Sequence, residues 1–119
     1  MGIDINFRSK AGYTPLMCAA EKGHTLVCKS LLQKGADWYA QLNDIDTALT
    51  LAIHNGHKDT MEALVEVSND PIKLYLHETK GRTNAVFHAA ISNQTGILEA
   101  MKYEYVFALI MACSLKLNM

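Results

Sequence analysis

Five histidines and three cysteines are the side chains of this 119-residue chain best suited to metal binding or nucleophilic catalysis. His54 and His57 stand three apart, which would put both imidazoles on one helical face. Zinc asks for three or four converging ligands, and the neighbours Asn55, Lys58 and Asp59 supply at most one more. No metal and no other cofactor is therefore expected. Cys18 and Cys28 would need an activating base and an electropositive setting to act as nucleophiles. Lys22 and His24 are near in sequence, but no Cys–His signature surrounds them. Both cysteines read as small hydrophobes on apolar helix faces. A small hydrolase built on either thiol is a third functional reading, one that two slow, buried thiols would end. The chain has no GxxxxGK[ST], GxGxxG or HExxH, so phosphate, dinucleotide and zinc-protease chemistry lack their local apparatus.

Composition narrows the classes further. Half the residues are apolar and 19% are charged, which is globular and fits one domain. A formal net charge of −1 leaves no basic field for phosphates. Phe7, Tyr13, Trp38 and Tyr39 are scattered with little basic charge around them, so no nucleic-acid partner is expected. Cys18, Cys28 and Cys113 are an odd set without CxxC spacing. They read as reduced thiols of an intracellular protein, cytoplasmic or nuclear. Met1-Gly-Ile-Asp-Ile-Asn6 lacks the basic start and apolar run of a signal peptide, and no myristoylation signal follows Gly2.

The elements that must position these residues announce themselves by repetition. Gly12-Tyr-Thr-Pro-Leu-Met-Cys-Ala-Ala20 is followed by Glu21-Lys-Gly-His24. Thr47-Ala-Leu-Thr-Leu-Ala-Ile53 repeats its second part 33 residues on. Gly56-His57 repeats Gly23-His24, and Gly35-Ala-Asp37 repeats Gly2-Ile-Asp4, at the same offset. A fixed period with matched punctuation marks stacked repeats, and this period with a TPLHxA-like box resembles the ankyrin-repeat family. A histidine that returns once per repeat after glycine reads as structural, bonding backbone between helices.

Local signals fill in the repeats. Thr14 is an N-cap with Pro15 at the first helical position, predicting a helix from about 15 to 22. Leu16, Ala19 and Ala20 give it an apolar side, and Gly23 stops it. A second helix over about 25 to 34 would carry Val27, Cys28, Leu31 and Leu32 as a broad apolar stripe. The next repeat keeps its helices but departs at the loop, with Leu42 where the family usually has Asp, Ile45 for Gly and Ala48 for Pro. Its finger is expected to be differently shaped. Ser68-Asn-Asp-Pro71 is a turn cluster. Ile72-Lys-Leu-Tyr-Leu-His77 alternates like a short strand, or is an insertion in the finger. Asn84-Ala-Val-Phe-His-Ala-Ala90 then fills the third box with about four extra residues, capped by Asn84 or by Thr83. Asn93-Gln94 stands in for Gly-His, with Ile97, Leu98 and Met101 in the helix after it.

The resemblance implies an all-α fold, an ankyrin-repeat solenoid of helix–turn–helix pairs with short β-hairpin-like fingers. One domain over 1–119 would hold repeats at about 2–34 and 35–67, a degenerate one at about 68–103, and an apolar tail at 104–119. Val106-Phe-Ala-Leu-Ile-Met-Ala-Cys113 is less than half of the ~20 apolar residues a membrane span needs. It is either one buried helix or the start of a fourth repeat. Neither end supplies a polar capping repeat. A fragment, a split product or one partner in a larger stack is expected, with self-association through the tail possible.

The family resemblance also implies the function: a non-catalytic protein–protein interaction module, an adaptor or scaffold rather than an enzyme. It would bind a protein partner through finger tips and the concave helix face. The alternative is a regulatory or targeting segment of a larger enzyme or signalling protein. Carried over by position, the first repeat offers Arg8, Lys10, Tyr13, Glu21 and Lys22 to a partner. The second offers Gln41, Asn43, Asp44, Asp46, His54 and Asn55. The third offers Lys80, Thr83, Ile91 and Ser92. The first set is mostly basic and the second acidic, a charge dipole along the groove. Trp38 reads equally as an interface anchor or as packing between repeats.

Overall fold

Thr14, Thr47 and Asn84 each open a helix by the same device. The computed structural model describes residues 4–92. In it, Thr14 Oγ1 accepts from the Met17 N–H at 3.2 Å and Thr47 Oγ1 from the Thr50 N–H at 3.4 Å. Asn84 Oδ1 accepts from the Phe87 N–H at 2.9 Å. Each bond satisfies a donor that a helix start leaves without an intrahelical partner. Asn84 is thus the third cap, and Thr83 is free to donate its hydroxyl to Ile45 O at 2.9 Å.

The fold is all-α. The described helices are α1 (Pro15–Lys22), α2 (Thr25–Gln33), α3 (Ala48–His54), α4 (Lys58–Ser68), α5 (Pro71–Leu76) and α6 (Ala85–Ile91). α1, α3 and α6 stack as one row, and α2 packs on α4 behind it. The core is built from matched positions. Leu16, Leu49 and Val86 are buried one above another in phase, as are Ala19, Ala52 and Ala89. Cys28 and Met61 do the same in the second row. Alanine in the first row lets helix axes approach closely, so each helix pair finishes its core on its neighbour.

The turns between repeats also recur. The Asn6 N–H donates to Asp4 Oδ1 at 2.9 Å, and the Tyr39 N–H to Asp37 Oδ1 at 2.8 Å. These are local turns made by an aspartate side chain, which is why Asp returns at this place. Asn6 Oδ1 then accepts from the Asp37 N–H at 2.9 Å and ties one turn to the next. Trp38 packs against the core and donates its indole N–H to Leu64 O at 3.4 Å, so it works between repeats.

Three expectations are corrected. Residues 72–77 are neither a strand nor a finger insertion. Asp70 accepts from the Lys73 N–H at 3.1 Å and Pro71 takes the first helical position, so the segment winds into α5. The alternation at 72, 74 and 76 misled because only Leu74 and Tyr75, adjacent in sequence, are buried. Cys18 is exposed: it lies about 200° round the helical wheel from Leu16. The α2 stripe is narrower than expected, with Val27 at 51% exposure while Cys28 and Leu32 are buried. The expectations for Asn93-Gln94, Ile97, Leu98, Met101, Cys113 and the apolar tail lie outside the described residues.

Burial pushes the Cys28 thiol up to about 11, so at neutral pH it is an un-ionised core group. Site-resolved alkylation of the folded chain at pH 7.5 should label Cys18 rapidly and Cys28 only on the timescale of unfolding. Peptide mass spectrometry over a time course checks this. Equal labelling rates would contradict the packing of α2.

Candidate functional site

The loops preceding α1, α3 and α6 share one construction. The Ser9 N–H donates to Tyr13 O at 2.8 Å, Leu42 to Asp46 O at 2.7 Å and Thr79 to Thr83 O at 2.9 Å. A second bond turns each tip: Gly12 to Ser9 O, Ile45 to Leu42 O and Arg82 to Thr79 O. Residue type decides how the tip turns. Gly12 sits at φ 94 and Arg82, in the matching place, at φ 66. The middle finger has Ile45 there, and a β-branched residue avoids the left-handed region. Asn43 and Asp44 take it instead, at φ 54 and 61. They are the centre of a two-residue turn of the kind Asn and Asp tolerate. This is the different shape expected of that finger.

The fingers are laced to one another. Arg8 Nη1 donates to Gln41 O at 2.8 Å, joining the first to the second. Gln41 Oε1 accepts from the Lys80 N–H at 3.0 Å, and Asp44 O accepts from the Gly81 N–H at 2.6 Å. A β-carbon on Gly81 would stand 2.8 Å from Asp44 O, so this approach requires glycine. Behind the fingers, His57 lies against Gly23 and its Nε2 is 3.0 Å from Glu21 O. That is the structural, backbone-bonding role expected of the repeated histidine. His24, its counterpart, is exposed and has no earlier repeat to reach among the described residues.

None of the fifteen residues offered to a partner is buried. Arg8, Lys10, Asn43, Asp44 and Lys80 sit on the finger loops and are exposed, and Gln41 is half-buried where it bridges. Tyr13 and Glu21 are brought together: the phenol donates to Glu21 Oε1 at 3.2 Å, and that carboxylate's charge raises the phenol pKa above its ordinary value. Lys22, Asn55 and Ile91 are exposed at the ends of α1, α3 and α6. Asp46, His54, Thr83 and Ser92 converge on a single cluster with His88, which sequence reasoning did not select. His88 is 3% exposed, and burial lowers its pKa. Its spacing from His54 is 34, off the repeat period, so no sequence signal paired them. Arg82 was also missed, because its place at a finger tip depends on the register of the inserted residues. With it, the third finger carries Lys80 and Arg82, and the exposed charge alternates basic, acidic, basic along the row.

The groove between fingers is lined by Arg8, Tyr39, Ala40, Gln41, Asp44 and Lys80. It is open and polar, without a convergent acid–base pair or nucleophile among these residues. Among the described residues no helix is long and apolar enough to cross a membrane.

The family model for ankyrin repeats (many copies) matches residues 16–65. The chain is 43% identical over 74 residues to Ankyrin repeat and KH domain-containing protein mask of Drosophila melanogaster, covering 56% of this chain and 2% of that protein. It is 44% identical over 64 residues to human Ankyrin repeat and KH domain-containing protein 1, covering 52% and 2%. An Ankyrin repeat and KH domain-containing protein of Caenorhabditis briggsae is 43% identical over 103 residues, covering 85% of this chain and 4% of that protein. The chain thus spans only 2% to 4% of the length of these relatives.

Finger geometry makes opposite forecasts for two adjacent residues. Gly81→Ala should destabilise the chain by about 1–3 kcal/mol, because Asp44 O must move. Arg82→Gly should stabilise it by up to about 1 kcal/mol by relieving the left-handed backbone, less the glycine entropy. Urea unfolding of both variants checks the pair; like signs would contradict the finger packing.

Proposed function

The chain belongs to the ankyrin-repeat family, and from that premise we propose that it is a non-catalytic module that binds a protein partner. The finger tips and the adjoining face of α1, α3 and α6 are the proposed grip. The observation that carries this reading is the lacing of the three fingers. Bonded edge to edge, they present side chains from three repeats as one preorganised row, which lowers the ordering cost of binding. The alternating charge asks for a partner with acidic groups facing the first and third fingers and a basic group facing the second. Affinity is then a sum over slices, as in other stacked repeats.

A second reading follows from the 2% to 4% coverage of the relatives. In it, the same surface acts as the targeting or regulatory segment of a larger protein. An intracellular setting, with Cys18 and Cys28 as free thiols, belongs to both readings.

The test is a paired retention experiment. A tip variant carrying Lys10→Glu, Asp44→Lys and Lys80→Glu should lose proteins that the native chain retains from a cell extract. A control carrying Lys29→Glu and Glu62→Lys, on the second-row helices, should keep them. Equal retention by both variants, with both folded by circular dichroism, would contradict the finger-tip reading.

A further inference from the structure

The knot between the second and third repeats is a different kind of site. Asp46 sits just before the cap of α3, His54 ends α3, and His88 lies inside α6. His54 Nε2 and His88 Nδ1 face each other at 2.5 Å. Asp46 Oδ1 is 3.8 Å from the first and 3.9 Å from the second. Those distances are too long for hydrogen bonds, yet the oxygen faces both nitrogens. The three donor atoms lie within 4.8 Å of one another. A tetrahedral zinc with bonds of about 2.0 Å holds its ligands roughly 3.3 Å apart, so an ion enters once the two ring nitrogens part by about 0.8 Å and the carboxylate closes by about half an ångström.

The surrounding bonds hold the donors in place. Thr50 Oγ1 donates to Asp46 Oδ1 at 2.9 Å. His54 Nδ1 is 2.7 Å from Ser92 Oγ, and His88 Nε2 is 3.0 Å from Thr83 Oγ1. The Thr83 hydroxyl proton is committed to Ile45 O. The network therefore places a proton on His88 Nε2 and leaves the Nδ1 lone pair pointing into the triangle. Outer hydrogen bonds of this sort fix the tautomer and orientation of metal-bound histidines.

We propose that Asp46, His54 and His88 form a Zn2+ site that clamps the second repeat to the third. The three protein ligands leave a fourth position, on the side where His54 is exposed, for water or a partner's side chain. No part of this rests on the finger-tip reading, and a failure of either leaves the other standing. An ordinary hydrogen-bonded histidine pair is the competing account, and it gives no response to metal.

Metal titration of the full chain distinguishes the two. With Zn2+, the proposal expects one ion bound per chain by calorimetry and a rise in Tm that grows with ion concentration. Co2+ in its place should give the visible absorption of a low-coordinate site. Asp46→Asn, which keeps the shape of the side chain, and the surface change His54→Ala should each weaken binding by more than about tenfold. Circular dichroism confirms that each variant is folded. Absence of a Zn2+-dependent Tm shift and of a Co2+ spectrum in the native chain would overturn the site. Undiminished binding by both folded variants would overturn it equally, by placing the ion elsewhere.

Discussion

Every repeat in this chain exposes apolar surface that it cannot cover alone, and the small residues of the first helices decide how the next repeat covers it. Ala19, Ala52 and Ala89 hold α1, α3 and α6 close together. That spacing brings each finger within hydrogen-bonding reach of the next and lays His57 against Gly23. Larger residues in the alanine row would push the helices apart and break the finger bonds with them. Recognition surface and core are therefore one construction: the packing behind the fingers sets their register.

Much of this was written in the punctuation of the sequence. Thr14 named the start of its helix because a side-chain cap is a local event, whereas the third cap stood open between Asn84 and Thr83 in the sequence, and the Phe87 N–H settles it by donating to Asn84. Asp4 and Asp37 returned at 33 because each makes its own turn. What the sequence hid was decided at a distance. Ile72 to Leu76 alternates in hydropathy, but the Asp70 cap and Pro71 outweigh alternation over so short a run. The same α5 supplies Leu74 and Tyr75 to the core, which is how the extra residues of the third repeat are absorbed. Cys18 was misplaced because an apolar-looking helix has one residue per turn that points outward.

The candidate surface was readable in outline only. Family positions gave fifteen accessible residues, yet they could not say which of them already bond one another. Gln41 bridges two fingers, Asp46, His54 and Thr83 turn toward His88, and Ser92 holds His54. The expected pairing of His54 with His57 on one helical face is also corrected, because α3 ends at His54 and His57 caps the start of α4. The structure joins His54 and His88 of adjacent repeats instead, and since they do not hold equivalent places in those repeats no period could have paired them. In a solenoid the chemistry of interest lies between slices, where sequence distance carries the least information.

Amide hydrogen exchange at Gly81 tests the central claim, that the fingers are locked into a single surface by the packing behind them. If the account holds, the Gly81 N–H is protected to nearly the same degree as the amides of α3, because releasing it from Asp44 O requires the repeats to part. Exchange of Gly81 at the rate of an open loop, with α3 still protected, would contradict it. The fingers would then move independently, and no shared row would exist for a partner to read.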